Sequence, residues 1–451
     1  MEIVIVGAGK VGEALCKDLA SEGNNIVLIE LNQKTLEKVM ETSDITGVVG
    51  NGASIDIQIE AGVENCEMFM AITDSDELNI IACIIAKKLG AKDTIARVRN
   101  PVYSQNMDFV KGNLGIKFMI NPEKETAYDI MNTLKYPCAF SVENFLSNKV
   151  NMVELVVEKD SPLDGLVLKN YNITKDKVLI CAVERAGEVY IPDGNFMLME
   201  GDRFYITGTS KALKQFIGNC KYKDGLIKSV LIVGGSRIAF YLIELLLEKN
   251  ISVKLIEKDP EMAEFFSETY PQIVVINADG TDQQVLLEER IENYDAVVSL
   301  TGIDEENIII SMFAISQNVS KNITKINRNI MKVIVDKLGL DTIVSPKKII
   351  ADKIIRFVRS QIDSSGSRVE NFNRILDNEV EVIHFSITEK SRALNIPLKD
   401  LHTIPGILIA CIKRNGSIIY PGGNDSIQIN DEVLVVTKTK YLDNFDEAIV
   451  D

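Results

Sequence analysis

The fold of this 451-residue chain is decided by its first turn, Ile3-Val4-Ile5-Val6-Gly7-Ala8-Gly9-Lys10-Val11-Gly12. The four β-branched residues predict a buried strand, and an amphipathic helix pattern follows the glycines directly. In a strand, turn and helix of this kind, the first glycine permits the sharp turn and the second lets a pyrophosphate approach the backbone. The third lets the helix pack closely against the strand. The pattern is therefore typical of a dinucleotide-binding Rossmann unit.

The first glycine loop predicts a phosphate site made of Gly7, Ala8, Gly9, Lys10 and Val11. The helix that starts there supplies unpaired N–H donors and a partial positive charge. Glu30 ends the next strand, 18 residues after Gly12, where a carboxylate accepts hydrogen bonds from ribose hydroxyls. An acid at this place repels a 2′-phosphate, so NAD(H) or an adenine nucleotide is favoured over NADP.

Two further groups are expected at the same pocket. Thr73 and Asp74 follow an apolar strand, at the carboxyl end of the sheet where such folds bind ligands. The strand period of two places Arg97 and Arg99 on one face, and one of them offers its guanidinium to a phosphate. A solvated arginine at a strand end is the alternative.

The chain is a tandem duplication. Glu30 recurs as Glu257 and Gly7 as Gly234, an offset of 227 residues, and later motifs recur at 228 or 229. In the first half, apolar runs predict parallel strands at 2–6, 25–30, 45–50, 67–72, 94–98 and 117–120. Helical patterns alternate with them at 10–22, 33–42, 55–61, 76–89, 101–110 and 122–135. The fold class is thus α/β, with two Rossmann-like doubly wound parallel sheets, each followed by a small mixed α/β domain.

The duplication divides the chain into four predicted domains. They span residues 1–135, 136–222, 228–362 and 368–451. The first boundary lies near Tyr136-Pro137, and its counterpart lies in the polar linker Ser364-Ser365-Gly366-Ser367.

The second glycine loop is degraded. It reads Gly234-Gly235-Ser236-Arg237-Ile238-Ala239, with a serine where the pyrophosphate passes. Lys325 replaces Arg97, while Glu257 and Asp279 remain as contacts for a ribose or an adenine. The second site then binds more weakly, holds a different adenine nucleotide, or is purely structural. Replacing Gly9 is expected to remove most NADH binding, whereas replacing Ser236 is not.

Composition excludes several other classes of protein. The net charge of −16, from 65 acidic and 49 basic residues, argues against nucleic acid and against adsorption to an anionic membrane. No apolar run approaches the ~18 residues that a membrane span requires, so direct insertion is not expected. One basic stretch, interpreted as a solvated helix face in preference to a docking patch, contains Lys347, Lys348, Lys353, Arg356 and Arg359.

An enzyme is disfavoured. Hydride transfer usually needs a general acid or base beside the nicotinamide, and the two histidines, His384 and His402, lie far from either glycine loop in the sequence. They are expected to be half-buried, with no carboxylate cluster nearby. The acids of Asp74-Ser75-Asp76-Glu77 and Asp304-Glu305-Glu306 are expected to stabilise helix N-termini. The prediction is no catalytic residue and no metal ligand.

Taken together, the motifs resemble the RCK (KTN) domain family. They comprise 7–12, Glu30, Gly50-Asn51-Gly52-Ala53-Ser54, Thr73-Asp74-Ser75-Asp76-Glu77 with Asn79, Ala96-Arg97-Val98-Arg99, and Asn121-Pro122. The resemblance implies that Gly7–Val11 hold a pyrophosphate, Glu30 a ribose, Thr73 and Asp74 the adenosine end, and Arg97 a phosphate. Asn51 is carried over with them as a cofactor-binding residue. The corresponding residues of the second half are Gly234–Ile238, Glu257, Asp279, Thr301 and Lys325, although Ser236, Ala239 and Gly302 depart from the family pattern.

The resemblance also implies partners. It predicts a homo-oligomer, a tetramer presenting eight Rossmann units, bound on the inner face of the cell membrane beneath a Trk-type (TrkH-like) multi-span potassium-transporting subunit. NAD(H), and ATP or ADP, would bias such a ring between shapes that open or close the pore. The alternatives are a sensor for an antiporter or a soluble partner and, third, an NAD-dependent dehydrogenase.

Overall fold

The computed structural model describes residues 1–100, 103, 114–146, 149–171, 178–222, 225–328, 340, 342–361, 366–376, 378–439 and 442–450. The helix predicted at 101–110 lies outside these residues except for Tyr103, as do Ser364 and Ser365 of the predicted linker. In the described part of the chain no helix is both long and apolar enough to cross a bilayer.

The first half opens with a six-stranded parallel sheet of order β3-β2-β1-β4-β5-β6. Its strands are β1 Glu2–Val6, β2 Asn25–Glu30, β3 Thr46–Val49, β4 Met68–Ala71, β5 Asp93–Arg97 and β6 Phe118–Ile120. The helices between and after them are α1 Lys10–Ser21, α2 Gln33–Thr42, α3 Ile55–Glu60, α4 Asp76–Leu89 and α5 Pro122–Leu134. The predicted doubly wound sheet is confirmed. The strand order reverses between the parallel neighbours β1 and β4, where such folds open a ligand crevice.

The second half repeats this sheet with the order β14-β13-β12-β15-β16-β17. Its strands are β12 Ser229–Val233, β13 Ser252–Glu257, β14 Val274–Asn277, β15 Ala296–Ser299, β16 Lys321–Lys325 and β17 Thr342–Val344. Its helices are α7 Arg237–Glu248, α8 Pro260–Thr269, α9 Gln283–Glu288, α10 Asp304–Ser316 and α11 Pro346–Arg359. The equivalent turn glycines, Gly7 and Gly234, have φ angles of 101° and 102°. The two halves therefore agree in the backbone conformation of this turn as well as in topology.

Each parallel sheet is followed by a small antiparallel sheet of five strands. The first has the order β10-β9-β11-β8-β7 and the second the order β18-β19-β22-β20-β21, which is the same topology. The first set is β7 Val142–Phe145, β8 Val150–Val156, β9 Val178–Arg185, β10 Glu188–Tyr190 and β11 Arg203–Gly208, with helix α6 Ser210–Asn219. The second set is β18 Ser367–Ile375, β19 Val380–Ile387, β20 Ile407–Arg414, β21 Ser417–Ile419 and β22 Glu432–Thr437.

The two small domains share one buried apolar cluster. Phe145 and Val150 from the first pack with Leu376 and Val436 from the second. At the edge of the cluster, the Lys149 ammonium donates to the Gly416 carbonyl at 3.2 Å. Since apolar burial is the main favourable contribution to folding, this cluster holds the small domains together.

Arg359 is the largest of the almost fully buried side chains in the described part of the chain. Its guanidinium pairs with Glu381 at 3.1 Å and lies over the Phe372 ring at 4.2 Å. Arg374 donates to the same carboxylate at 3.3 Å. Such a buried charge is tolerated because its partners are also buried and hydrogen-bonded.

The packing groups the chain differently from its order in the sequence. One compact unit consists of residues 1–127 and 345–358, and the other consists of 128–344 and 359–451. Helix α11 follows the second parallel sheet in the sequence, yet its residues as far as Val358 belong to the unit that contains the first sheet. The predicted spans 1–135 and 228–362 describe the order of domains along the chain and do not include this exchange of a helix.

Candidate functional site

The first glycine loop is shaped by packing at two of its three glycines. Gly7 has a positive φ, and a Cβ added to Gly12 would lie 2.0 Å from the Gly7 carbonyl oxygen. Gly9 is different, because its φ is −64° and an added Cβ would meet nothing within 4 Å. Gly9 is the N-cap of α1 and provides no side-chain cap. The first amides of α1 are therefore left for a ligand or for water.

Glu30 is held by the backbone on both sides. Its carboxylate accepts from the Ala8 N–H at 2.7 Å and from the Asn32 N–H at 2.9 Å. These bonds fix the acid at the end of β2 beside the glycine loop. A carboxylate has further lone pairs, so Glu30 can still accept from a ribose hydroxyl.

A buried asparagine positions the carboxyl ends of β4 and β5. The Asn79 side chain accepts from the Thr73 N–H at 2.9 Å and donates to the Arg97 carbonyl at 2.9 Å. The Thr73 hydroxyl donates to the same amide oxygen at 2.7 Å. Asn79 thus fixes two of the predicted site residues relative to each other, without lining the cleft itself.

Arg97 is a half-buried cation with weak hydrogen-bond partners. Its Nη1 donates to the Asp74 carboxylate at 3.4 Å and to the Thr73 carbonyl at 3.5 Å, both long for hydrogen bonds. Its Nε has no partner among the described residues. Asp74 is 93% exposed, so this ion pair is weakened by solvent. Burial, together with the neighbouring Arg99, lowers the pKa of Arg97. An anionic ligand would accept from the guanidinium and would stabilise its charged form.

These groups meet around one cleft of about 580 Å³. Of the first-half residues predicted for the site, nine line it: Gly7, Gly9, Lys10, Val11, Glu30, Asn51, Thr73, Asp74 and Arg97. Ala8 takes part only through its N–H group. The sequence reasoning missed Leu31, Leu78 and Lys347, which also line the cleft. Leu31 is 73% exposed and offers an apolar surface beside Glu30.

The prediction of a solvated face for the basic stretch is wrong at three positions. Lys347 lines the first cleft, Lys353 pairs with Glu125, and Arg359 is buried. The reason for Lys347 and Lys353 is that their part of α11 lies within the first unit, whereas Arg359 is buried against Glu381 and Phe372 of the second unit. Lys348 on the same helix is exposed, as predicted.

In the second glycine loop a side chain caps the helix that follows. The Ser236 hydroxyl accepts from the Ala239 N–H at 3.4 Å, so α7 has a side-chain cap where α1 has none. A Cβ added to Gly235 would lie 3.0 Å from the Glu257 carboxylate, which accepts from the Gly235 N–H. The serine hydroxyl therefore stands where the first half leaves space.

The second cleft is about half as large, about 280 Å³. Gly234, Gly235, Ser236, Glu257 and Asp279 line it, as does Thr301. Three other predicted residues, Arg237, Ile238 and Lys325, are not among its lining residues; the buried Lys325 donates to the Leu300 carbonyl at 3.2 Å.

The two clefts differ in charge. The first has three basic residues (Lys10, Arg97 and Lys347) against two acidic ones (Glu30 and Asp74). In the described part of the chain, the second has Lys258 against Glu257, Asp279 and Glu306. Lys258 occupies the position of Leu31, so an apolar surface is lost as well. The second cleft is unfavourable for phosphate groups.

The first acids of α4 and α10 accept hydrogen bonds from backbone N–H groups. Asp76 accepts from the Arg99 and Asn100 N–H groups at 2.9 and 2.7 Å, and Asp304 accepts from Asn327 and Arg328 in the same way. Burial raises the pKa of Asp304, but these N–H groups and the Arg328 guanidinium outweigh it and hold the pKa below its ordinary value.

His384 differs from its prediction. It is buried on β19 instead of half-buried, and its Nε2 lies 3.0 Å from the Glu432 carboxylate. Burial lowers the pKa of His384, while Glu432 acts in the opposite direction. The error arose because strand register, which pairs His384 with Leu434, places it near Glu432 although the two are distant in the sequence.

Two open parallel sheets with a glycine turn and an adjoining acid, each followed by a small antiparallel domain, define a tandem RCK-type protein. The chain belongs to the TrkA family. Its TrkA-N domain matches residues 3–122 and 230–346, and its TrkA-C domain matches residues 152–220 and 382–450. The predicted fold and family are thereby confirmed, and the family is one of potassium-transport proteins, not of enzymes.

Similar proteins extend over the whole chain. A Trk system potassium uptake protein TrkA homolog from Archaeoglobus fulgidus is 29% identical over 447 residues, covering 99% of each chain. Trk system potassium uptake protein TrkA from Haemophilus influenzae is 28% identical and covers 98% of this chain and 96% of its own. Among solved structures, the GsuK channel bound to NAD has a TM-score of 0.62 at 17% identity, covering 99% of this chain and 78% of its own.

Proposed function

We propose that this chain is a cytoplasmic regulatory subunit that senses NAD(H), ATP or ADP and gates a Trk-type potassium transporter. The link to potassium uptake is supported by family membership and by relatives that match over nearly their whole length. The nucleotide is supported by the first cleft, where a helix N-terminus, a ribose-binding acid and cations converge.

The observation that carries the nucleotide proposal is the uncapped N-terminus of α1 beside the under-bonded Arg97. Both supply donors without strong protein partners, and both adjoin the same cleft. A phosphate accepts from backbone amides and from a guanidinium at once. The GsuK channel, which shares the fold, has been solved with NAD.

In this proposal each part of the ligand has its own contact. Gly7–Val11 hold the pyrophosphate, Arg97 a phosphate and Glu30 the ribose, while Thr73 and Asp74 lie at the adenosine end. Leu31 offers apolar area to a base. Glu30 disfavours NADP because its carboxylate would repel a 2′-phosphate.

The second half has a lesser role in binding. Ser236 already satisfies its helix, and acids outnumber the single lysine around the second cleft. We propose that this cleft holds phosphorylated nucleotides weakly or not at all. The remaining predicted residues Arg237, Ile238 and Lys325 are then structural.

Gating requires that the nucleotide bind two shapes of an assembly with different affinity. We propose a tetramer, carrying eight Rossmann units, on the inner face of the membrane beneath a TrkH-like subunit. Symmetric assembly of identical chains is the usual route to such a ring. Neither insertion into the membrane nor binding to nucleic acid is part of this proposal.

The test begins with calorimetric titration of the full chain with NADH, NAD, ATP, ADP and NADPH. Binding without turnover is expected, weakest for NADPH. The chain is then reconstituted with its potassium transporter in liposomes, and nucleotide is expected to change the potassium flux. Absence of binding to any nucleotide would remove the input of the mechanism.

Two other outcomes would favour the alternatives. Tight binding of nucleotide with no effect on potassium flux, and co-purification with an antiporter or a soluble protein, would favour a different sensor. Oxidation of NADH in the presence of a carbonyl substrate would favour a dehydrogenase.

A further inference from the structure

Helix α11 is fixed on the first unit by contacts at its C-terminal half. Phe357 stacks on Phe118, with ring centroids 4.7 Å apart and planes 7° from parallel. One turn earlier, Lys353 forms an ion pair with Glu125 on α5. An aromatic contact and a charged contact together fix the orientation of the helix, and with it the position of its first turn.

The first turn of α11 is basic, unlike that of its counterpart in the first half. It begins Pro346-Lys347-Lys348 and contains no acidic residue. The equivalent helix α5 of the first half has Glu123 and Glu125 in its first turn. Cations at a helix N-terminus are repelled by the partial positive charge of the helix.

The two lysines differ in surroundings. Lys347 is half-buried and lines the first cleft together with Lys10 and Arg97, while Lys348 is exposed and does not line it. A negative ligand in the cleft would offset the repulsion between Lys347 and the helix N-terminus. Among the described residues, the others that line the cleft lie between 6 and 97, and Lys347 comes from the second half.

Resting on the proposed function, we propose that Lys347 binds a phosphate of the nucleotide held in the first cleft. Its ammonium supplies a point charge in addition to the planar guanidinium of Arg97. The glycine loop of the first half and a cation of the second half then hold the same ligand. Nucleotide binding thereby depends on the placement of α11, which links the ligand to the second half of the chain.

The experiment compares Lys347→Ala with Lys348→Ala in the full-length protein. Calorimetric titration uses NADH, ADP and adenosine, which lacks a phosphate. Lys347→Ala is expected to raise the Kd for NADH and ADP about tenfold or more, since a charged hydrogen bond is lost. Adenosine should bind as in wild type. Lys348→Ala should change each Kd by less than about twofold, and Lys347→Arg should retain most of the affinity.

Three results would overturn the inference. Unchanged binding of NADH and ADP by Lys347→Ala would show that the ammonium does not contact phosphate, while binding by wild type leaves the proposed function in place. An equal loss for adenosine, or a lower unfolding temperature of Lys347→Ala without nucleotide, would assign Lys347 a structural role. Failure of wild type to bind NADH or ADP would overturn the proposed function as well.

Discussion

The substitution Gly9→Ser should weaken ligand binding at the first glycine loop while leaving the stability of the fold almost unchanged. Gly9 has φ −64° and ψ 174°, and an added Cβ meets nothing within 4 Å. The second half carries Ser236 in nearly the same conformation, with φ −81° and ψ 169°. A serine N-cap is more stable than a glycine by only a few tenths of a kcal/mol. We therefore expect the unfolding free energy to change by less than about 1 kcal/mol.

The effect on binding should be much larger. The new hydroxymethyl group would fill the space over the start of α1 and accept from an amide there, as Ser236 does from Ala239. The phosphate then loses at least one charge-assisted hydrogen bond, a contribution of about 1.5–3 kcal/mol. That loss corresponds to a Kd for NADH raised about 10- to 150-fold.

The assay is calorimetric titration with NADH, accompanied by thermal unfolding followed by circular dichroism without nucleotide. Ser236→Gly is the matched control, because it makes the reverse change in the second loop and should leave the main NADH site intact. NADH affinity equal to wild type in Gly9→Ser would refute the assignment of the pyrophosphate to this loop. A large fall in the unfolding temperature would refute the claim that Gly9 is free of packing constraints.

Three further substitutions test the scaffold. Gly12→Ala should destabilise the protein by about 1–3 kcal/mol, because the added Cβ would collide with the backbone. Gly218→Ala is the control, since its added Cβ meets nothing within 4 Å and should not destabilise the protein. Thermal unfolding of the two variants measures the difference. Arg359→Met should cost about 3 kcal/mol in denaturant unfolding, since Glu381 loses its main buried partner but keeps a second arginine. Asp304 has a lowered folded pKa, so its stabilisation is present above its unfolded pKa of about 3.9 and is lost as pH falls through the folded pKa. Asp304→Asn should therefore be less stable than wild type at neutral pH, with a difference that shrinks in acid; a constant difference in unfolding temperature would contradict this.

The elements of the fold were largely predictable from the sequence because most strands of the parallel sheets are short apolar runs bounded by turns. The predicted strand 25–30 and helix 76–89 agree with the structure at both ends, and 45–50 and 67–72 differ by one residue at each end. These patterns are set by local burial, which the sequence expresses directly. The offset of 227 residues also transfers any correct assignment from one half to the other.

The placement of α11 was not predictable in this way. The apolar stripe of a helix shows that it packs, but it does not show against which of two similar sheets. Lys347 was missed for that reason, since only the exchange of α11 between halves brings it to the first cleft. Leu31 was missed because an exposed leucine after an acid has no distinctive pattern of its own.

The comparison of the two halves shows that a glycine loop alone is weak evidence for a nucleotide. Gly234 keeps the φ of Gly7, and Asn307 donates to the Lys325 carbonyl as Asn79 does to that of Arg97. These features maintain the turn and the strand ends whether or not a ligand is bound. What distinguishes the halves is whether the helix N-terminus is already capped and which charge prevails around the cleft. A phosphate needs unsatisfied donors and cations, and of the two clefts, as the described residues line them, the first offers both.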